Sequence, residues 1–521
     1  MDRRAFLGRA RPASARAAAR PSSPAPAAHA HASKRADLSP YTGTWTQAHA
    51  THLVRRTHFG ASRADVVSAL VRGSAASAVD ALIEAAQARP LPDEPSWANS
   101  TTTNGGTNIE RLYEWQRGWY AEMIEGGLRE KMLLFWHDHF ATGHAVYYHA
   151  AFAVDYLTFL RERAMGPFRP MLEGVGKKPA MLRFLDNDTN RVGDINENYA
   201  REILELFSLG LTGPNGETNY TQQDIIETAR ALTGWVVNES RIRGDFDASR
   251  HDTGSKTILG QTGNWSVNSD ADDVVDLIFS QRGDAVAHFI AGKLYAWFVH
   301  PVPNAGVVAA LADVLKTNDF DTAVAVRSLL TSAHFYDEAV VGARIKSPME
   351  LLLGLTRELG ITPSQAALER FRTASQSIGQ EVLNPPSVEG WPGYDDPLEY
   401  RAWVTTGTIP ERRGMADNAV FGSDVFSTYD PLPLVEQLSD KFDPYRITRD
   451  FADHFLAVPL TEAASDALAE QTVLDGVPTS YTREERQGFW TEIVISAEEV
   501  AADRLRNLIS ALVNLPEYQL V

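Results

Sequence analysis

Along most of this chain hydrophobic positions recur every three to four residues, which predicts amphipathic α-helices and few strands. Residues 48–88 read as two helices, with Gly60 as a stop and Ser62 capping the second; Leu53, Phe59, Val66, Val67 and Leu70 are core candidates. A stretch rich in Pro, Thr, Asn and Gly follows over 89–108. The helix after it, 109–125, carries Leu112, Trp115, Trp119 and Met123 on one stripe, a core face before it is a ligand box. Beyond Trp235 Gly, Asn and Asp punctuate β-prone runs at 245–250 and 256–259, which predicts a small hairpin insertion near 245–260. Helical periods return over 285–299, 307–315 and 321–332, from Pro348, from Pro363 to about Gly379, and over 497–512, where Val500, Leu505, Leu508, Ile509 and Leu512 face inward. Pro385, Pro386, Gly390, Pro392 and Gly393 are too dense for a helix and predict an ordered loop presenting Trp391, which either stacks on a ligand ring or, more often for such a residue, plugs the core and pins the loop. The fold class is therefore mainly α: a single large multi-helix domain over 48–413 without internal repeat, and a helical extension over 414–521 packed on it.

Polar residues crowd into one stretch, 181–235. Asn196, Glu197 and Asn198 open a helix whose N-cap is Asp194 or Asn196. Ile203, Leu204, Leu206, Phe207 and Leu209 form its apolar stripe, with Arg201, Glu202 and Glu205 beside it. Spacings of four allow Glu197–Arg201 and Arg201–Glu205 to stack, so Arg201 is expected to be paired and at least partly buried. Thr221 and Asp224, at capping-box spacing, open a second helix that turns Ile225, Ile226, Ala229 and Leu232 inward and closes at Gly234. NENYAREILELFSLG and YTQQDIIETARALTGW together resemble the core signature of a bacterial family known only as domain of unknown function 1800. The resemblance extends in the family's order through HLVRRTHFGASRADVVSALVRGS, EKMLLFWHDHFATGH, HDTGSKTILG, RIKSPMELLLGLTRELG and TTGTIPERRG, with 414–482 reading as specific to this lineage. It brings no assigned chemistry. It does imply a partner, since members are often encoded beside another exported family with twin-arginine leaders.

Composition narrows the function classes. A formal charge of −18 is the opposite of a nucleic-acid footprint, and with no cysteine there is neither a disulfide framework nor a thiolate metal site. The first 36 residues set eight Arg and Lys against the single acid Asp2, amid Ala, Pro and Ser, and read as a disordered basic leader. MDRRAFLG resembles the start of a twin-arginine export signal, yet Arg9, Arg11, Arg16 and Pro21 stand where the apolar region belongs, so the signal is degenerate. A periplasmic or secreted address is favoured over a cytoplasmic one, and no stretch has the length of a membrane span.

Three segments carry candidate chemistry. His137 and His139 flank Asp138, with His144 close behind. On a helix the first two point about 200° apart and cannot share a metal; on a turn they can. Asp186, Asp188, Asn190 and Glu197 fall at the ligand spacing of a calcium loop, although Arg191 stands where that loop needs glycine. His251 beside Asp252, with Lys256 four residues on, suits a metal site, an acid/base element, or a turn carrying a solvated imidazole. The catalytic candidates are thus Glu202, Glu205, His139, His251 and Asp252. Binding candidates are Asn196, Glu197, Asn198, Arg201, Arg230, Lys256 and Trp391, and a divalent cation is the candidate cofactor, on His137, His139, Asp186, Asp188 or His251. Two readings follow: a non-catalytic helical envelope or secreted protein working with a partner, and a metal-assisted hydrolase. The second requires Glu202 or Glu205, His139 and His251 to converge on one cavity, with Trp391 at its rim.

Overall fold

The computed structural model describes residues 37–101, 104–268, 272–395, 399–438 and 440–521. The leader expected over 1–36 lies outside them. Among the described residues there are 23 α-helices and two two-stranded antiparallel sheets, so the chain is mainly α. Residues 48–88 form three helices rather than two, Gln47–Thr57, Arg63–Leu70 and Ala75–Ala88. Ser62 and Ser74 cap the second and third by accepting from backbone N–H groups three residues on. Gly60 ends the first as expected, at φ +89°, and a Cβ there would collide with the backbone of Gly354. Leu53, Phe59 and Val66 are buried, whereas Val67 is exposed. The β insertion begins at Trp235 and is double. β1 (Trp235–Asn238) pairs with β2 (Arg243–Phe246), and β3 (Lys256–Ile258) with β4 (Gln261–Gly263). The intervening Ala248–Arg250 is a 3₁₀ turn capped by Asp247.

Two hydrophobic cores share one wall, the helix Pro348–Leu359. Met349, Leu352 and Leu353 face the large core built by the segments up to Phe426. Leu351, Leu355 and Leu359, four apart, face a second core made with the helices Ile409–Phe421, Pro444–Phe455, Arg483–Ser496 and Glu498–Val513. A helix buried on nearly every side must be central, and here only Arg357 is not buried. Leu505, Leu508, Ile509 and Leu512 enter this second core as expected, but Val500, one step off their stripe, is exposed. The central helix starts with Ser347 as N-cap, Pro348 at its first position and Glu350 closing a capping box. The Glu350 side chain does two jobs. One carboxylate oxygen accepts from Ser347 N at 2.8 Å, and the other holds the Nζ of buried Lys131.

The chain's last residues return to this centre. Val521 N donates to Arg344 O at 2.8 Å and Lys346 N to Gln519 O at 2.7 Å. Tyr518 OH donates to Glu358 at 2.7 Å, and its ring lies 3.5 Å from Lys346 Nζ. A second buried ionic knot centres on Glu130, which accepts from Arg161 at 3.0–3.2 Å and from Trp119 Nε1 at 3.0 Å.

Candidate functional site

The polar stretch 186–198 is shaped from within by Asn190. Its Nδ2 donates to Ala229 O at 2.8 Å and to Asn187 at 3.2 Å, and its Oδ1 accepts from Asn196 N at 3.0 Å. The third residue of the calcium-like spacing is thereby turned into the core. Asp188 is likewise committed, 3.1 Å from Arg183, although burial still raises its carboxyl above the usual range. Asp186 adopts left-handed backbone at φ 55° and its carbonyl accepts from Thr189. Asp188, Asn190 and Glu197 of that spacing are therefore each engaged with a different neighbour. Among the described residues no three His, Cys, Asp or Glu side chains are placed to hold a metal ion.

Asn196 Oδ1 accepts from Asn198 N at 2.9 Å in a turn just ahead of the helix Asn198–Leu204, whose N-cap is Glu197 and not Asp194 or Asn196, and no side chain caps it; Asp194 pairs with Arg191 at 3.0 Å. Arg201 pairs with Glu197 at 3.1 Å and with Gln222 at 3.4 Å. The two charged side chains remain 40% and 36% exposed, so Arg201 is paired and partly buried as expected, yet open enough to water that the pair contributes at most about 1 kcal/mol to folding. Glu205 turns away to accept from Tyr220 OH at 3.1 Å, because a π-helical turn over Glu205–Leu209 shifts the helix face there. Glu202 sits between these groups. Burial first, then the neighbouring Glu205, pushes its carboxyl up to about 7 against the pull of Arg201. A folded-state value above the unfolded 4.5 means that the native protein binds the extra proton, so stability falls as pH rises from 4.5 through 7. Glu202→Gln should flatten that fall, by roughly 2–3 kcal/mol, in urea unfolding at pH 5 and pH 8; a wild-type curve indifferent to the substitution refutes this.

The imidazoles lie elsewhere. His137 and His139 occupy the final turn of the helix Gly127–His139, so they diverge and cannot share an ion. His137 Nε2 accepts from Leu383 N at 3.0 Å, which places its proton on Nδ1; burial takes it down to about 3. His139 bonds Phe207 O through Nε2 at 3.0 Å, hence with the proton there. Burial, then the Lys293 charge, holds it well below its ordinary value. Both are neutral core histidines. His251 gives Nδ1 to Thr233 O at 2.9 Å and sets its ring against Phe246. Asp252 is clamped by Arg230 at 2.8 and 3.1 Å, and this fork, first among the causes, lowers its carboxyl. Lys256 is buried and donates to the carbonyls of Asp252 and Gly254 at 2.5 and 2.9 Å. The polar helix thus meets His139 through the carbonyl and the ring of Phe207, and the 251–256 loop is locked to the helix Gln222–Ala231. Each of these groups is tied to its own neighbours, and among the described residues no three of the acids and imidazoles are placed to share a metal ion. Trp391 follows the core reading and not the binding one. It is 1% exposed, edge-on to His137 with ring centroids 5.5 Å apart, and so plugs the core rather than lining a rim.

What the structure does bring together is the histidine segment and the Pro/Gly loop. Besides the His137–Leu383 bond, His144 N donates to Leu383 O at 2.8 Å and Trp391 N to Asp138 Oδ1 at 2.7 Å. His144 Nε2 faces Glu381 at 3.5 Å. Residues 52–520 match the family described as protein of unknown function, DUF1800. The chain belongs to the DUF1800 family. The DUF1800 match runs through 414–482 too, the stretch read above as specific to this lineage. No curated protein and no solved structure matches the chain.

Proposed function

We propose that this DUF1800 protein works without catalysis, in the envelope or secreted, by binding a companion exported protein through the outer face of its signature helices. One observation carries this reading: Glu197, Arg201 and Gln222 form a hydrogen-bonded surface cluster across the first turns of the two signature helices, beside exposed Asn198, while the neighbouring His139 is spent inside the core. Glu197 and Arg201 present opposite charges in a fixed geometry, with Gln222 donating to Glu197 at 2.8 Å, and such arrangements select a partner by complementarity. An open cavity of about 340 Å³ lined by Thr189, Asp194, Ile195, Asn196, Glu197 and Asn198 adjoins the cluster and gives it relief. The Arg3–Arg4 pair of the leader and the gene neighbourhood that the resemblance implies supply the address and the companion.

The test is co-expression with a member of the exported family that the resemblance implies as its companion, followed by size-exclusion chromatography with light scattering. A stoichiometric complex is expected, weakened at least tenfold by Glu197→Ala combined with Arg201→Ala. Since that pair contributes little to folding, the loss would belong to binding. Failure to co-elute, or an affinity unchanged by the double substitution, overturns the reading.

A further inference from the structure

An open cavity of about 590 Å³ lies where the helix Asp273–Phe298 breaks, and it shares no lining residue with the cavity beside Glu197. The break is at Arg282, whose φ of −136° and ψ of 21° leave the helical region. Its half-buried guanidinium lines the cavity and crosses to the loop ahead of the helix Gln222–Ala231. There Nε donates to Asn219 O at 2.8 Å, while Nη1 donates to Gln281 O at 2.9 Å. Among the described residues Nη2 has no acceptor, and Arg282 forms no ion pair. The two acids of the lining are engaged elsewhere: Glu217 accepts from Asn215 N at 2.9 Å, and Asp284 pairs with Lys316 of the helix Ala305–Thr317. Beside this cation stand two half-buried rings, Phe279 and Phe320, edge to face with centroids 4.7 Å apart. Asp319 and Phe320 both adopt left-handed backbone, at φ 50° and 57°, which neither residue type favours. Bonds on both sides impose it, since Phe320 N donates to Leu315 O at 2.7 Å and Phe320 O accepts from Phe168 N at 3.0 Å. The ring is thereby held next to the break, its Cζ 3.9 Å from where a Cβ on Gly283 would stand. Backbone kept in such a conformation is a recurrent feature of ligand clamps.

The chemistry of these groups restricts the ligand. A guanidinium with its far end unspent takes a planar anion in its own plane, through two parallel N–H donors. Glu217 and Asp284 share the cavity, so a doubly charged phosphate meets twice the repulsion that a single negative charge meets. The aryl edge beside Arg282 suits a flat apolar body, which packs edge to face or offset on such rings. A volume of about 590 Å³ is that of a small-molecule site. We propose that this cavity binds a small aryl-bearing carboxylate, its carboxylate on Arg282 and its ring against Phe279 and Phe320. The Lys316–Asp284 pair joins the two helices that flank the ligand. This site is separate from the Glu197–Arg201 face and stands or falls independently of the companion protein.

Saturation-transfer NMR on the full chain would compare 3-phenylpropionate, its neutral amide and phenyl phosphate. Transfer to the carboxylate is expected, with the amide bound at least fivefold more weakly and the phosphate no more tightly than the carboxylate. Arg282→Gln should erase the preference for acid over amide. Phe320→Gly, which also relieves the left-handed backbone, should weaken the carboxylate fivefold or more. Thermal melting of each variant reports on folding, and if Arg282→Gln does not fold, the acid-over-amide preference of the unaltered chain decides. Absence of transfer to the carboxylate overturns the proposal. So does equal binding of acid and amide, tighter binding of phenyl phosphate, or an acid preference that survives in folded Arg282→Gln.

Discussion

Replacing Glu350 with alanine is expected to lower the unfolding free energy by roughly 3–5 kcal/mol, the cost of stranding a buried charge. Its partner Lys131 is 1% exposed and Glu350 itself 3%, so neither can turn to water. The substitution also opens the capping box of the helix that both cores share, since Glu350 accepts from Ser347 N. Urea unfolding of the variant gives the number. A loss below about 1 kcal/mol would mean that the pair is dispensable, whereas Lys131→Met with Glu350→Leu should recover much of the loss by removing both charges. The pair also sets a pH dependence. Burial alone would raise the Glu350 carboxyl, but Lys131 and Arg344 bring it down to about 2. Its stabilisation is therefore complete above pH 4.5 and disappears as pH falls from 4.5 towards 2. Lys131 runs the other way: burial outweighs Glu350 and takes it down to about 8, so its share of stability improves as pH rises from 8 towards 10.5.

Gly390→Ala should come next, with a loss of about 3 kcal/mol. Gly390 sits at φ 84°, where a side chain is strained by roughly 1–2 kcal/mol. A Cβ there would also run into the carboxylate and the carbonyl of Asp138, the group that receives Trp391 N. Displacing that bond leaves a buried donor unsatisfied, for a further 1–3 kcal/mol or so. Gly193→Ala is the matched control, since φ is 82° there and nothing lies within 4 Å. Melting curves should show Gly390→Ala falling well below Gly193→Ala; equal losses would show that the Asp138 contact carries no weight.

These two sites mark the division between what was legible in the sequence and what was not. Ser62, Gly60 and the Thr221–Asp224 capping box were readable because each acts within four residues of itself, on its own backbone. The mainly α class followed from many such local signals agreeing. The Lys131–Glu350 pair was not readable, because its halves are 219 residues apart and each alone resembles a solvated charge on a helix. The pairing of Arg201 with Glu197 was readable because it lies within one helix turn, but nothing in the neighbouring apolar stripe says how far another element covers it. Trp391 was ambiguous until Asp138 supplied a partner for its backbone. The candidate site suffered most, since the His144–Glu381 approach links two segments that sequence reading treated separately. The one cue was the nearness of His144 to His137 and His139.

The interlock of His137 with Leu383 spans 246 residues, and that span has a consequence in time. At about 5–20 residues per second, synthesis would deliver Leu383 roughly 12–50 seconds after His137. Collapse of the earlier segments is faster than that by orders of magnitude. Until the Pro/Gly loop emerges, the end of the helix Gly127–His139 has no Trp391 against it, and Asp138 has no Trp391 N–H to accept from. The nascent chain must carry that open apolar surface for tens of seconds, long enough for a chaperone or an export factor to engage it before the last piece closes over.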